Sequence, residues 1–276
     1  MSQIDIKEKQ IESDIEASFL EHGYVKINPS SYDLEKNLFF DTFVEYIKSS
    51  QPKAWSRYVK YYGAQAEEKL YRRLSNEIAN RGMLDVLKKG IRDMGVPLKL
   101  CSFKPESELN SELVAEYRKN IFGVTRQWSY SNDNTNTVDM MLSINGIPVI
   151  ALELKDPLKN QDYQNAIEQW KNDRDPKEPA FRFNSRILAY FAVDPYQAWV
   201  ATELKGQETT FVPFNQGSNG GGNPGGAGNP ANPDGYTTSY LWERVLEKDS
   251  LLDLIQKFIT VVTQKEERVM KNRERK

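Results

Sequence analysis

The chain has 276 residues, with 37 Lys and Arg against 39 Asp and Glu, and a formal net charge of −2. This length allows one large domain or two ordinary ones, and the balanced charge argues against an autonomous DNA-binding domain, because such domains are strongly basic. The single cysteine cannot form an internal disulfide, so we expect a cytoplasmic protein. The single histidine excludes a His-rich zinc site. The sequence contains neither an apolar run long enough to span a membrane nor the apolar segment of a secretory signal.

The first segment is predicted to be a helix. Residues 3–22 carry an apolar stripe at i, i+4 spacing, which predicts a helix that ends before Gly23. Glu12 and Glu16 lie one turn apart beside this stripe. A short strand is predicted next, at residues 24–27.

Residues 33–94 are predicted to form several helices, interrupted at Pro52, Gly63 and Gly82. This pattern indicates a helical insert beside the rest of the fold. Aromatic residues alternate with Lys and Arg between residues 53 and 62. They could form a face that contacts DNA, but an ordinary core with lysine stems lying along it is favoured.

Shorter segments follow the helical region. Strands are predicted at residues 96–103 and 124–131, where apolar residues are frequent or alternate with polar ones. Between them, residues 111–120 are predicted to form a helix that Asn110 or Ser111 caps.

The most informative stretch runs from Thr137 to Pro157. Apolar residues occupy every second position from Val138 to Ile144, and the positions between them are polar except for Met141, which predicts a strand. The segment from Val149 to Leu154 is apolar at every position except Glu153, which predicts a second strand that is covered on both faces. Asn145-Gly146 lies between them and is the strongest short-range signal of a β-hairpin.

Three charged residues, Asp139, Glu153 and Lys155, interrupt this apolar hairpin. Burying unpaired charge is unfavourable, so we expect the two carboxylates to bind a cation. A two-residue turn in regular register would point Asp139 and Glu153 to opposite faces, whereas an odd loop or one bulge would place them on the same face. Lys155 shares the face of Glu153 in either register. We expect the shared face, where two carboxylates would suit Mg²⁺.

The segments after the hairpin are predicted to be a helix, two strands, a loop and two helices, at residues 163–173, 187–193, 198–202, 216–235, 240–246 and 250–262. Asp249 or Ser250 is the expected cap of the last helix. The loop is rich in Gly, Asn and Pro without periodicity, so we expect Gly217 to Gly235 to lack helix and strand and to be mobile. The loop contains no phosphate-binding motif for ATP. Residues 264–276 are predicted to be a charged helical extension or linker.

The hairpin and its surroundings are similar to one protein family. The spacing D-x(13)-E-x-K across a hairpin resembles the PD-(D/E)xK nuclease superfamily. More specific are N-G-I-P-V-I-A-L-E-L-K-D-P, A-I-E-Q-W-K-N-D-R-D-P, F-A-V-D, F-V-P-F-N-Q-G and G-A-G-N-P. Together they resemble the amino-terminal nuclease region of the restriction (R) subunit of type I restriction enzymes. This resemblance covers nearly the whole chain and implies an α/β fold: a mixed sheet with the hairpin near its centre, flanked by helices, with a helical insert.

The resemblance implies a site for Mg²⁺-dependent hydrolysis of phosphodiester bonds in DNA. Asp139 and Glu153 would bind Mg²⁺, together with the backbone carbonyl of Leu154. Lys155 would orient the attacking water or stabilise the developing negative charge.

Two further residues are implied by the same resemblance. The first helix often supplies another carboxylate in this superfamily, and the resemblance favours Glu12 over Glu16 as a metal ligand. Gln169 matches the glutamine of a Q-x-x-x-Y motif that supports the site in some relatives. Asp173 stands where that motif has its tyrosine, so the chain departs from the motif at its aromatic position.

The resemblance also divides the chain. It implies a first helix and the start of the nuclease core, a helical insert, the core with its hairpin, a Gly/Asn/Pro-rich loop, and C-terminal helices with a linker, at residues 1–32, 33–95, 96–215, 216–236 and 237–276. In the resembled enzymes, ATP-driven translocase domains follow, and DNA is cleaved in a complex with methylation and specificity subunits. We therefore expect a type I site-specific deoxyribonuclease domain that is weak or inactive without those partners, with ATP bound only outside this chain.

Two other functions remain open. A non-catalytic DNA-binding or assembly module could keep the same fold, and a free-standing PD-(D/E)xK repair nuclease could use the same residues. Metal binding that is lost in Asp139→Ala would support either nuclease. A translocase region with a Walker A lysine in the same protein would indicate the restriction subunit.

Overall fold

The computed structural model describes residues 3–107, 109–157 and 160–262. Its strands are β1 (Val25–Lys26), β2 (Ile91–Asp93), β3 (Val96–Leu98), β4 (Phe122–Ser129), β5 (Thr137–Ile144), β6 (Ile147–Leu154), β7 (Ala189–Val193), β8 (Ala198–Ala201) and β9 (Val212–Pro213). Its α-helices are α1 (Gln3–Glu21), α2 (Phe40–Ser50), α3 (Pro52–Tyr62), α4 (Ala66–Arg81), α5 (Met83–Lys89), α6 (Ser111–Tyr117), α7 (Tyr163–Asn172) and α8 (Lys248–Asp253). None of the described helices is both long and apolar enough to cross a membrane.

Seven of the strands form one mixed sheet in the order β1-β4-β5-β6-β7-β8-β9. β1 is parallel to β4 and β7 is parallel to β6, whereas the other neighbours are antiparallel. All eight residues of the middle strand, β6, are buried, as predicted for a strand that is covered on both faces. The β5–β6 hairpin therefore lies at the centre of the sheet, also as predicted.

Helices cover both faces of this sheet. On one face, Phe19 of α1 and residues of α2–α5 share a hydrophobic core with Leu152 of β6. On the other face, Trp170 of α7 belongs to a second core with Ala151 of β6 and Tyr190 of β7. This is the predicted α/β fold class, a mixed sheet with flanking helices and a helical insert, and it is consistent with a restriction-endonuclease-like fold.

Most aromatic residues between residues 53 and 62 pack inward, although Tyr61 is exposed. Tyr58 is buried, and its hydroxyl donates a hydrogen bond to Asp93 Oδ2 at 2.8 Å. The Tyr62 hydroxyl donates to the same oxygen at 2.9 Å, and Trp55 stacks on Tyr58. These contacts support the interpretation of the segment as ordinary core.

The segment from Ile91 to Leu98 differs from the prediction. The sequence predicts helix through residue 94 and a strand from 96 to 103, but β2 and β3 form a short antiparallel hairpin instead. Gly90, with a φ of 68°, ends α5, and Met94-Gly95 turns the chain with φ values of 46° and 75°. Ile91 is buried in the same core as the insert helices, so a strand satisfies the apolar spacing that resembles a helical face.

The C-terminal helices are shorter than predicted. Leu241–Val245 and Leu254–Phe258 are single π-helical turns, with α8 between them. Asn110 caps α6 as expected, but the predicted cap of α8 is wrong. The Glu247 side chain caps this helix by accepting from the backbone amide of Asp249 at 3.0 Å.

The Gly-rich loop contains neither helix nor strand from Gly217 to Gly235, as predicted. Its base is closed by a hydrogen bond from the amide of Gly217 to the carbonyl of Gly228 at 2.8 Å. The mobility of the loop stays a prediction. The charged extension predicted at 264–276 lies outside the described residues.

Candidate active site

The β5–β6 turn is a two-residue turn. Asn145 and Gly146 have φ values of 52° and 80°, so both lie in the left-handed region that a type I′ hairpin turn requires. With an unbroken ladder, such a turn would point Asp139 and Glu153 to opposite faces of the sheet.

A β-bulge in β6 changes this register. Beyond the bulge, Met140 pairs with Leu152, whereas an unbroken ladder would pair Met140 with Ala151. The shift brings Asp139 opposite Glu153, so that the two side chains share one face. The prediction of an odd loop or a bulge, with both side chains on one face, is confirmed, and the structure has the bulge.

Glu153 is the most deeply buried charged residue of the hairpin. Its side chain is 0% exposed and pairs with Arg174, which is 2% exposed. Arg174 donates to Glu153 Oε1 from Nε at 3.0 Å and from Nη2 at 2.7 Å. Glu153 Oε2 has no hydrogen-bond partner within the described part of the chain. Burial and the neighbouring Asp139 carboxylate raise the pKa of Glu153 well above its ordinary value, although Arg174 and Lys155 oppose this.

Asp139 lies opposite and is partly accessible, with 14% of its side chain exposed. Its Oδ2 accepts a hydrogen bond from the backbone amide of Leu154 at 2.8 Å. Lys155 Nζ lies 3.9 Å from the same oxygen, and its side chain is 9% exposed. The structure therefore brings together the three charged hairpin residues that the sequence singles out.

Glu12 of α1 reaches the edge of this group. Its Oε2 accepts from Arg126 Nε at 3.0 Å, and its Oε1 accepts from Gln127 Nε2 at 3.0 Å. Burial, and then the negative charge of Asp139, raise the pKa of Glu12. Glu16, the other candidate, instead accepts from Lys26 at 2.9 Å.

Gln169 does not join these contacts. It lies on α7, and its half-buried side chain makes no hydrogen bond with any described residue. Its neighbour Trp170 is buried and donates from Nε1 to the carbonyl of Phe191 at 3.0 Å. The supporting role of Gln169 stays a prediction.

The match to known proteins covers this whole group of residues. Residues 5–209 match the family described as "Type I restriction enzyme R protein N terminus", which is well over half of the chain. This chain belongs to that family. A protein of Methanocaldococcus jannaschii, described as "Putative type I restriction enzyme MjaVIIIP endonuclease subunit", is 23% identical over 261 residues. That alignment covers 93% of this chain but spans only 22% of the relative.

The donor atoms of this R protein N-terminal region fit Mg²⁺ better than a metal that needs a closed set of side chains. Among the described residues, no three or more His, Cys, Asp or Glu side chains are grouped to hold a metal ion. Mg²⁺ needs only one or two carboxylates because it keeps several waters. The unpartnered Glu153 Oε2, with Asp139 opposite, offers that kind of oxygen donor.

Three residues at this site were not predicted from the sequence: Arg174, Arg126 and Gln127. Arg174 follows the predicted helix in the run D-R-D-P, where a charged residue indicates a solvated loop. Arg126 and Gln127 lie in a strand with alternating polarity, which indicates only that one face is polar. Only Arg126 gave a signal, because it is the one charged residue in a strand of apolar and neutral residues. A buried strand excludes unpaired charge, so this arginine indicates an acidic partner.

Proposed function

We propose that this chain is the Mg²⁺-dependent DNA endonuclease domain of a type I restriction enzyme R subunit. The observation that carries the proposal is the bulge in β6, which brings Asp139 opposite Glu153, with Lys155 3.9 Å from Asp139. Membership of the R protein family supports this interpretation. The name of the M. jannaschii relative contains the words "endonuclease subunit".

Asp139 and Glu153 would hold the Mg²⁺, with the backbone carbonyl of Leu154 as a further ligand and Glu12 as a candidate for another. When bound, Mg²⁺ polarises a phosphate and lowers the pKa of an attacking water. Arg174 already occupies Glu153 Oε1, so Oε2 is the oxygen left for the metal.

Lys155 would act on the reacting groups through its charge. Its ammonium lies beside Asp139 in a largely buried position, where low local polarity strengthens electrostatic effects. It would orient the attacking water or stabilise negative charge that develops on the phosphate oxygens. No serine or histidine nucleophile is needed for this reaction.

The whole enzyme is also part of the proposal. Cleavage would take place in the cytoplasm, in a complex with methylation and specificity subunits, after translocation that ATP drives through domains outside this chain. The formal net charge of −2 supports delivery of DNA by other subunits, since affinity for DNA depends strongly on Lys and Arg contacts to phosphates.

The test pairs metal binding with cleavage. Mg²⁺ is titrated calorimetrically into the chain and its variants, and DNA cleavage is assayed in the full-length enzyme with its partner subunits and ATP. Asp139→Ala and Glu153→Ala should each lose both Mg²⁺ binding and DNA cleavage, because each removes a ligand. Glu68→Ala is the matched control, since Glu68 is half exposed in a surface ion pair.

Each outcome separates the functions. Loss of Mg²⁺ binding and of cleavage in the two hairpin variants, with both retained in Glu68→Ala, supports the proposed nuclease function. Intact cleavage in Asp139→Ala would overturn the proposed site. A wild-type chain that binds DNA without binding Mg²⁺ or supporting cleavage would indicate a non-catalytic module.

A further inference from the structure

Gln127 has an unusual backbone conformation for its position. Six non-glycine residues in the described chain have positive φ, and four of them are asparagine, which tolerates this region best after glycine. Met94 lies in the β2–β3 turn, whereas Gln127, with a φ of 49°, lies inside strand β4. Gln127 is therefore the one described residue that combines a Cβ, a positive φ and a position within a strand.

The strained backbone changes where the side chain points. Successive residues of a strand point to opposite faces, yet Arg126 and Gln127 both donate to the Glu12 carboxylate. The left-handed conformation at Gln127 interrupts the alternation, so the Gln127 amide reaches the same carboxylate as the Arg126 guanidinium.

The Gln127 amide joins three elements at the site. Its Nε2 donates to Glu12 Oε1 at 3.0 Å and lies 3.4 Å from Asp139 Oδ1. Its Oε1 accepts from Thr137 Oγ1 at 2.8 Å. It thus connects a carboxylate of α1 with a carboxylate of β5. The side chain is exposed, so it adds little hydrophobic burial that could offset the strained backbone.

We propose that Gln127 is a positioning residue that orients Asp139 and Glu12 for metal binding, and that the strained backbone is retained for this purpose. This inference rests on the proposed nuclease function. Backbone strain of this kind is concentrated at functional sites. Mutation of a residue that hydrogen-bonds a metal ligand commonly lowers metal affinity or activity by about 10–100-fold.

Two variants separate the backbone from the amide. Gln127→Gly removes the strain and the amide together, whereas Gln127→Met keeps the side-chain length and the strain but removes the amide. Met94→Gly is the matched control, because Met94 has a similar φ of 46° in an exposed turn away from the site. Thermal unfolding is measured for each metal-free chain, and Mg²⁺ affinity is measured by calorimetry.

We expect Gln127→Gly to raise the unfolding midpoint, as Met94→Gly should, because glycine adopts positive φ without strain. We expect both Gln127 variants to weaken Mg²⁺ binding by about tenfold or more, and Met94→Gly to leave it unchanged. A purely structural role predicts the reverse for the glycine variant, a lower midpoint with unchanged affinity.

Mg²⁺ affinity within twofold of wild type in both Gln127 variants would overturn the inference, and so would a lowered midpoint in Gln127→Gly. Asp139→Asn is run beside them. If Asp139→Asn loses Mg²⁺ binding while the Gln127 variants keep it, only the role of Gln127 fails. If Asp139→Asn also keeps it, the proposed function itself fails.

Discussion

At the scale of single residues, the ion pair of Glu153 and Arg174 is central to the site. Arg174 donates twice to Glu153 Oε1 and once to the carbonyl of Thr137, at 2.7 Å. Two charges that are almost fully buried need such partners, because removal of one leaves the other uncompensated. The pair therefore connects the segment after α7 to the hairpin. It leaves Glu153 Oε2 without a hydrogen-bond partner among the described residues.

At a pH above the folded pKa of Glu153, where its carboxylate is ionised, Arg174→Met should lower the free energy of unfolding by about 3–5 kcal/mol, because that charge would remain buried without its partner. Urea unfolding of the metal-free chain measures this. Arg72→Met is the control, since Arg72 forms an exposed pair with Glu68 and should cost less than about 1 kcal/mol. Adding Glu153→Gln to Arg174→Met should recover part of the loss; a loss no larger than that of the control would contradict the importance of the pair.

The raised pKa of Glu153 predicts a pH dependence of stability. A folded-state pKa above the unfolded value means that the native state holds a proton that the unfolded state releases, so stability is lost as pH rises from about 4.5 toward the folded pKa. Glu153→Gln lacks this titration. Its free energy of unfolding, relative to wild type, should therefore rise between about pH 5 and pH 8 in the absence of metal. A difference that stays constant or falls over this range would show that the sign is wrong.

At the scale of elements, the hairpin could be predicted only in part. Asn145-Gly146 indicates the turn. A site shared by Asp139 and Glu153 required a change of register between β5 and β6, but the position of that change was not predicted. Pro148 was the available signal, because proline cannot donate to the ladder and is found at bulges when it lies within a sheet. Here Pro148 pairs with Ser143 immediately before the register shifts.

Gly146 should be intolerant of a side chain. A Cβ at this position would lie 2.4 Å from the carbonyl oxygen of Phe39 and 2.9 Å from the amide nitrogen of Phe43, where the turn meets the start of α2. Gly95 is a matched control, because its φ of 75° is similar but a Cβ there would meet nothing within 4 Å. Gly95→Ala should cost about 1 kcal/mol of stability.

Gly146→Ala should lower the free energy of unfolding by about 1 kcal/mol or more beyond the loss in Gly95→Ala, because it adds the steric clash to the backbone strain. Chemical denaturation of both variants gives the comparison. Equal losses would mean that the turn does not pack closely against α2.

At the scale of the whole molecule, the sheet and the insert could largely be predicted because their apolar patterns are local. The buried run of β6 and the stripes of α1 and α2–α5 need no distant partner to be recognised. Arg174 could not be predicted, because it meets Glu153 across 21 residues of sequence through a segment without periodicity. The prediction for the β2–β3 segment was wrong because a short buried strand and one face of a helix can have the same spacing of apolar residues.

Near-neutral charge and a deeply buried site are consistent with the proposed function, in which this chain is one component of a larger enzyme. Glu153 is fully buried and Lys155 nearly so, so under the proposed function a DNA phosphate would approach through the side on which Asp139 is exposed. Chemistry at this site would then depend on how other parts of the enzyme present the DNA.

The most direct measurement is the cleavage rate of the complete enzyme carrying Lys155→Ala, assayed with its partner subunits and ATP, alongside Mg²⁺ binding by the same variant. Lys155 lies beside the carboxylates without being a proposed ligand, so Mg²⁺ should still bind. Loss of its positioned charge should lower cleavage by about 10²–10³-fold. Unimpaired cleavage would contradict a nuclease site in the β5–β6 hairpin, and loss of Mg²⁺ binding together with cleavage would contradict the role of Lys155 in acting on the water rather than on the metal ligands.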